Sequence, residues 1–143
     1  MQYTHDHLIF TIMKLHPDLL HWRDFKVAMP VQHNGGQNGE PYITEWMRKD
    51  IPQPAVQTLR DTFKAHREEI CAQLVRHYRD DKLRFTDRYA VAPPDAPESV
   101  KAQVTAWQTY RQALRDITKQ PDFPLRVEWP TSPNTTSSPT PSV

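Results

Sequence analysis

No glycine and no proline interrupts residues 55 to 92 of this chain, although its 143 residues include 14 prolines and 3 glycines. Both residue types break helices, so the places where they crowd and the places where they are missing divide the chain first. Inside the free run, Val56, Leu59, Phe63, Ile70, Leu74 and Tyr78 follow helical spacing, with His66 and Arg67 filling the gap after Phe63. That spacing predicts one amphipathic helix from residue 55 to about residue 79. Arg60, Asp61, Lys64, Arg67, Glu68, Glu69 and Arg76 read as its solvated face.

The stiff connector Asp50-Ile51-Pro52-Gln53-Pro54 precedes this helix, and a connection ending in Pro93-Pro94 follows it. Asp95-Ala96-Pro97-Glu98 reads as a second helix start. Asp95 is the candidate cap acceptor, Pro97 sits in the first turn, and Glu98 completes a capping box. The second helix is expected to bury Val100, Val104, Trp107, Leu114 and Ile117, with Tyr110 at the edge of the stripe, and to stop before Pro121. Two long helices joined this way lie antiparallel as a hairpin. Phe123-Pro124-Leu125-Arg126-Val127-Glu128-Trp129-Pro130 alternates apolar and polar residues and reads as an extended arm. Residues 131–143 hold eight Ser/Thr, three Pro and no charge, too little apolar surface to offset ordering entropy, and read as a disordered tail.

Ahead of the first long helix, all three glycines fall in Asn34-Gly35-Gly36-Gln37-Asn38-Gly39. This flexible tip joins two strand-like stretches, Trp22–Ala28 and Tyr42–Trp46, into an antiparallel hairpin. Leu8, Ile12 and Leu15 recur at helical spacing before it, and Pro17 ends that short helix near His16.

The chemistry-bearing residues exclude more than they suggest. Lys and Arg total 18 against 17 Asp and Glu, a net charge of +1, which is unlike a protein built to coat nucleic acid. One cysteine allows no disulfide framework and no Cys-rich zinc site. His5 and His7 are two apart and His66 and His77 eleven apart, spacings that share no ion, so the seven histidines read as scattered surface residues. Cys71 reads as a small core residue. No phosphate-binding glycine loop, G-x-S-x-G elbow or H-E-x-x-H helix occurs, and no cofactor is implied. The apolar stretches fall short of a membrane span, and the opening MQYTHDHLIF has neither the basic region nor the cleavage site of a secretory signal. Trp22, Trp46, Trp107 and Trp129 each lie in a different element. Trp129, on a Pro-flanked arm, can dock on the chain's own helices or on a partner.

The run Trp107-Gln108-Thr109-Tyr110-Arg111-Gln112-Ala113-Leu114-Arg115-Asp116-Ile117, then Phe123-Pro124, then Trp129-Pro130, closely resembles the C-terminal signature of tailed-bacteriophage tail assembly chaperone proteins. The tail fibre assembly proteins carry a related ending. Arg79-Asp80-Asp81-Lys82-Leu83, Asp87 and Asp95-Ala96-Pro97 resemble the lead-in to that signature, with Arg88-Tyr89 where the family usually has Trp after the Asp. Ile43-Thr44-Glu45-Trp46, Ile51-Pro52-Gln53-Pro54 and Leu59 resemble a segment of small tail-associated proteins. The resemblance implies a non-enzymatic protein of the host cytoplasm that binds a phage tail or tail-fibre structural protein and aids its folding or assembly. It also implies that Trp107, Tyr110, Arg111, Leu114, Arg115, Asp116, Phe123, Pro124, Trp129 and Pro130 form the motif or partner-binding set. Arg111 and Arg115, four apart, either pair inside the fold or present guanidinium forks to a partner.

The expected fold is α+β and helix-dominated, with a small N-terminal helix plus β-hairpin, a long helical hairpin and an extended C-terminal arm. Its expected divisions are 1–53, 54–130 and the tail 131–143. The alternative function is a small structural component retained in the virion tail, fibre or baseplate. A nucleic-acid-binding domain is a weaker rival, since residues 55–90 carry eight Lys/Arg against six Asp/Glu. No nucleic acid or membrane partner is expected, and the uncovered helix stripes allow a homodimer.

Overall fold

The computed structural model describes residues 3–133. Most of the tail expected to be disordered, residues 134–143, lies outside the described residues. Four α-helices and one two-stranded antiparallel sheet are present among the described residues, as the helix-dominated α+β reading expects. The chain packs as two units, Met1–Val75 and Arg76–Val143.

In the first unit, α1 spans His5–Leu15. Thr4 caps it, and His7 takes the position of the Glu or Gln of a capping box: its Nδ1 lies 3.1 Å from the Thr4 N–H and 2.9 Å from Thr4 Oγ1. β1 (Phe25–Ala28) and β2 (Tyr42–Trp46) pair antiparallel, Phe25 opposite Trp46 and Ala28 opposite Tyr42, with a bulge where Thr44 adds a residue to β2. β1 starts three residues later than expected because Trp22 adopts φ 73°, a left-handed conformation that ends the extended run. The hairpin tip is tied down by Gln37, whose Nε2 donates to the carbonyls of Tyr3 and Gly39 at 2.8 Å each. Leu8, Ile12, Leu19, Phe25, Val27 and Leu59 form one buried cluster, each contributing about 1.5–3 kcal/mol of apolar burial.

The single helix expected from residue 55 to about 79 is two helices, α2 (Val56–Ala65) and α3 (Arg67–Thr86), parted at His66. The apolar stripe has its gap there, from Phe63 to Ile70, and helices of this kind are held by their packed face rather than by propensity. Thr62 Oγ1 also donates back to the Thr58 carbonyl at 2.7 Å, a bond that bends helices. Beyond residue 79, α3 continues through a polar stretch supported by His77–Asp81 and Arg84–Asp81 pairs one turn apart.

In the second unit, the end of α3 leads into a 3-10 turn, Asp87–Tyr89, and then to α4 (Glu98–Arg115) and a second 3-10 turn, Asp116–Lys119. The N-cap of α4 is Pro97, not Asp95; no side chain caps it, and the Pro97 carbonyl accepts the N–H groups of Val100 and Lys101. The α4 stripe is shifted from expectation: Tyr110 is buried and Val100 exposed.

Candidate functional site

Ten motif residues are expected to act together; five lie on α4, at different depths, and five in the turn and arm that follow it. Trp107, Tyr110 and Leu114 recur on one helical face and form a buried cluster in the second unit. Leu83, Tyr89 and Trp129 pack against it. Tyr89, in the Arg88-Tyr89 pair that departs from the resembled signature, stacks on Trp107 with ring centres 4.6 Å apart and planes 17° from parallel. Tyr110 meets Trp107 edge-on at 5.6 Å, and burial pushes its phenol pKa up.

Arg111 is buried beside this cluster. Its guanidinium donates to the Leu83 carbonyl, to Thr86 Oγ1 at 2.9 Å and to the Asp87 carboxylate at 2.7 Å. These acceptors are the end of α3 and the start of the following turn, so Arg111 fastens that end of α3 to α4. Arg115, one turn on, is exposed and makes no hydrogen bond or ion pair among the described residues. The two arginines that share a face by spacing thus have separate surroundings. Asp116 follows α4, where Lys119 (2.7 Å) and Gln112 (3.1 Å) hold its carboxyl below the usual range.

The arm returns to α3. Residues 121–125 form turns around a cis Phe123–Pro124 bond, and residues 126–130 are extended without strand pairing. The Arg76 guanidinium lies 5.5 Å from the Phe123 ring. Trp129 meets Tyr78 edge-on at 6.4 Å and carries the Lys82 ammonium 5.4 Å above its ring. Phe123, Pro124, Trp129 and Pro130 are all half-buried, and Leu125 is exposed between them.

Two residues that were given no role hold this arrangement. Thr86, buried at the end of α3, donates to the Lys82 carbonyl at 2.8 Å and accepts from Arg111. Gln120 pins the arm through both ends of its amide to Glu128. Neither has a pattern in sequence, since each role is a single polar side chain meeting one partner, Arg111 for Thr86 and the Glu128 backbone for Gln120.

The histidines are less scattered and less superficial than their spacing suggests. His7 is buried, with Nε2 3.8 Å from the sulfur of Cys71. Burial pushes the Cys71 thiol up, opposite to the shift that activates a nucleophilic cysteine. His5 and His21 flank β1: His5 Nε2 donates to the Val27 carbonyl at 3.1 Å, and His21 Nε2 accepts the Val27 N–H at 3.4 Å. Among the described residues no group of three or more His, Cys, Asp or Glu side chains is placed to hold a metal ion. No helix among them is long and apolar enough to cross a membrane.

Residues 8–70 match the family model described as XkdW protein, and residues 72–134 match the one described as phage tail assembly chaperone protein. No curated protein and no solved structure gives a significant match. Both matching families are phage tail-associated. With a tail-associated segment ahead of it, the stretch that carries the Trp107–Leu114 cluster, the Arg111 fastening and the returning arm matches the phage tail assembly chaperone family.

Proposed function

We propose that this protein acts without catalysis, binding a phage tail or tail-fibre structural protein in the host cytoplasm and keeping it fit for incorporation. The match of residues 72–134 to the tail assembly chaperone family carries this reading. Burial divides the motif into two parts. Trp107, Tyr110, Arg111 and Leu114 are buried and build the unit. Arg115 and the arm around Leu125 face outward, so these form the client-facing side of the motif. An exposed guanidinium and an exposed apolar arm residue suit a partner surface that offers both carbonyl or carboxylate oxygens and apolar side chains.

The test is co-expression of the tagged protein with each tail and tail-fibre gene of its source genome, followed by pull-down and mass spectrometry. One tail protein recovered near stoichiometry, and insoluble when expressed alone, supports the reading. Recovery of none, with every tail protein soluble unaided, rejects it. Detection of this chain in purified particles shows retention in the virion.

A further inference from the structure

The two edges of the β1–β2 hairpin are treated differently. On β1, the outward peptide groups are met within the chain. Trp22 N–H donates to the Phe25 carbonyl at 2.8 Å, and the Val27 N–H and carbonyl are taken by His21 and His5. Because Val27 points its peptide groups away from β2, its cross-strand partner Ile43 points its own outward on the far side. Outside the β1–β2 ladder, no backbone group and no side chain among the described residues pairs with the Ile43 N–H or carbonyl. The hairpin therefore has one sealed edge and one open edge, and an open edge is a template for another strand.

A groove runs beside that open edge. Tyr42 and Ile43 of β2 line it together with Leu8, Pro54, Val56 and Leu59, and Glu40 and Gln53 add polar groups; no β1 residue lines it. Tyr42 is 51 % exposed and Val56 61 %, so apolar surface faces solvent next to unpaired main-chain groups. At the other end of β2 the bulge and Glu45, tied to Lys26 at 3.0 Å, blunt the edge. The usable edge is the Ile43 end, where the groove lies.

We propose that an extended strand of the tail structural protein adds to β2 at Ile43 and seats an apolar side chain between Tyr42 and Val56. This rests on the client-binding reading above and names a second contact for the same client. Unpaired N–H and carbonyl groups select an extended polypeptide, and the groove selects an apolar residue within it. The chain's own Ser/Thr/Pro-rich end is a poor occupant, because its three prolines lack the donors a ladder needs.

The experiment compares wild type, Val56→Asp and Val91→Asp in client pull-down, with amide hydrogen exchange on the wild-type complex. Val56 is the first residue of α2, whose first turn holds no acidic residue, so an Asp there suits the helix while charging the groove. Val91, 78 % exposed, is the control outside the groove. The proposal expects capture by Val56→Asp to fall about tenfold or more, Val91→Asp to match wild type, and the Ile43 amide to become protected only in the complex. Undiminished capture by Val56→Asp, with Ile43 unprotected in the complex, overturns the proposal and leaves client binding standing. Protection of Ile43 in a self-associated state without client overturns it in favour of a second copy. Wild type that captures no tail protein overturns both.

Discussion

Gln120 and Glu128 pair as two strands would: Gln120 Nε2 donates to the Glu128 carbonyl at 2.8 Å, and the Glu128 N–H donates to Gln120 Oε1 at 2.7 Å. One side-chain amide thus replaces a strand in returning the arm to α3. Both bonds are exposed, so their net worth is about 1 kcal/mol together. Gln120→Ala should leave the melting temperature nearly unchanged while freeing the arm. The check is Trp129 fluorescence, which should shift to the red, together with faster tryptic cleavage at the exposed Arg126. Gln120→Glu keeps an acceptor and loses the donor, so it should fall between the two.

Arg111 is the costlier contact. Removing its side chain leaves the Leu83 carbonyl and Thr86 Oγ1 without their donor in a buried setting, while Asp87, largely exposed, turns to water. Arg111→Ala should therefore destabilise the protein by about 2–3 kcal/mol in urea unfolding. Arg111→Lys should recover little, because one ammonium cannot reproduce a planar fork aimed at three acceptors. An unchanged unfolding curve for Arg111→Ala, with client capture lost, would move Arg111 from the framework to the binding face.

The apolar spacing of α1 and the alternation around β1 and β2 were legible because each encodes one buried face of a regular element. The break at His66 was not, because both halves of the α2–α3 run keep helical spacing and only packing divides them. Residues 80–86 looked like a connection because their polar character hid Leu83, the one side chain there that packs on the Trp107 cluster. In the site, the ordered motif from Trp107 to Pro130 lies within the residues that match the chaperone family model. It did not separate Arg111 from Arg115, since four-residue spacing puts both on one face and says nothing of depth. Gln120 acts through backbone partners, which leave no mark in side-chain pattern, and Thr86 through one side chain 25 residues away.

Trp22 stands in the left-handed region at φ 73° with its side chain 70 % exposed. Few contacts reward the conformation: the Lys26 ammonium 5.9 Å from the ring and the His21 ring at 5.0 Å. A left-handed residue with a Cβ costs roughly 1–2 kcal/mol, which glycine does not incur. Glycine loses more chain entropy on folding, by about 0.5–1 kcal/mol. Trp22→Gly should then be as stable as wild type or slightly more so, and more stable than Trp22→Ala, which keeps the backbone cost and loses the ring. Urea unfolding of the three proteins orders them. Trp22→Gly as the least stable of the three would show that the ring contacts, not the backbone, dominate this turn.

His5 and His21 meet different peptide groups of Val27, the carbonyl and the N–H. His5 has its ring nitrogens at Asp6 Oδ1, 2.9 Å, and at the Val27 carbonyl. His21 accepts the Val27 N–H and must keep Nε2 unprotonated. Its ring lies 5.5 Å from that of His5 and packs on Phe25 and Trp22. Burial first, then the His5 charge, lowers the His21 pKa, with Asp6 opposing. The folded state thus binds fewer protons at His21 than the unfolded state once the pH falls towards 6.5. Stability should rise with pH across this window and be lost on acidifying from pH 7 through the lowered His21 value. Urea unfolding at stepped pH measures the slope, and His21→Gln, which offers the Val27 N–H an uncharged acceptor, should flatten it. A slope unchanged by His21→Gln would assign the acid sensitivity to other groups.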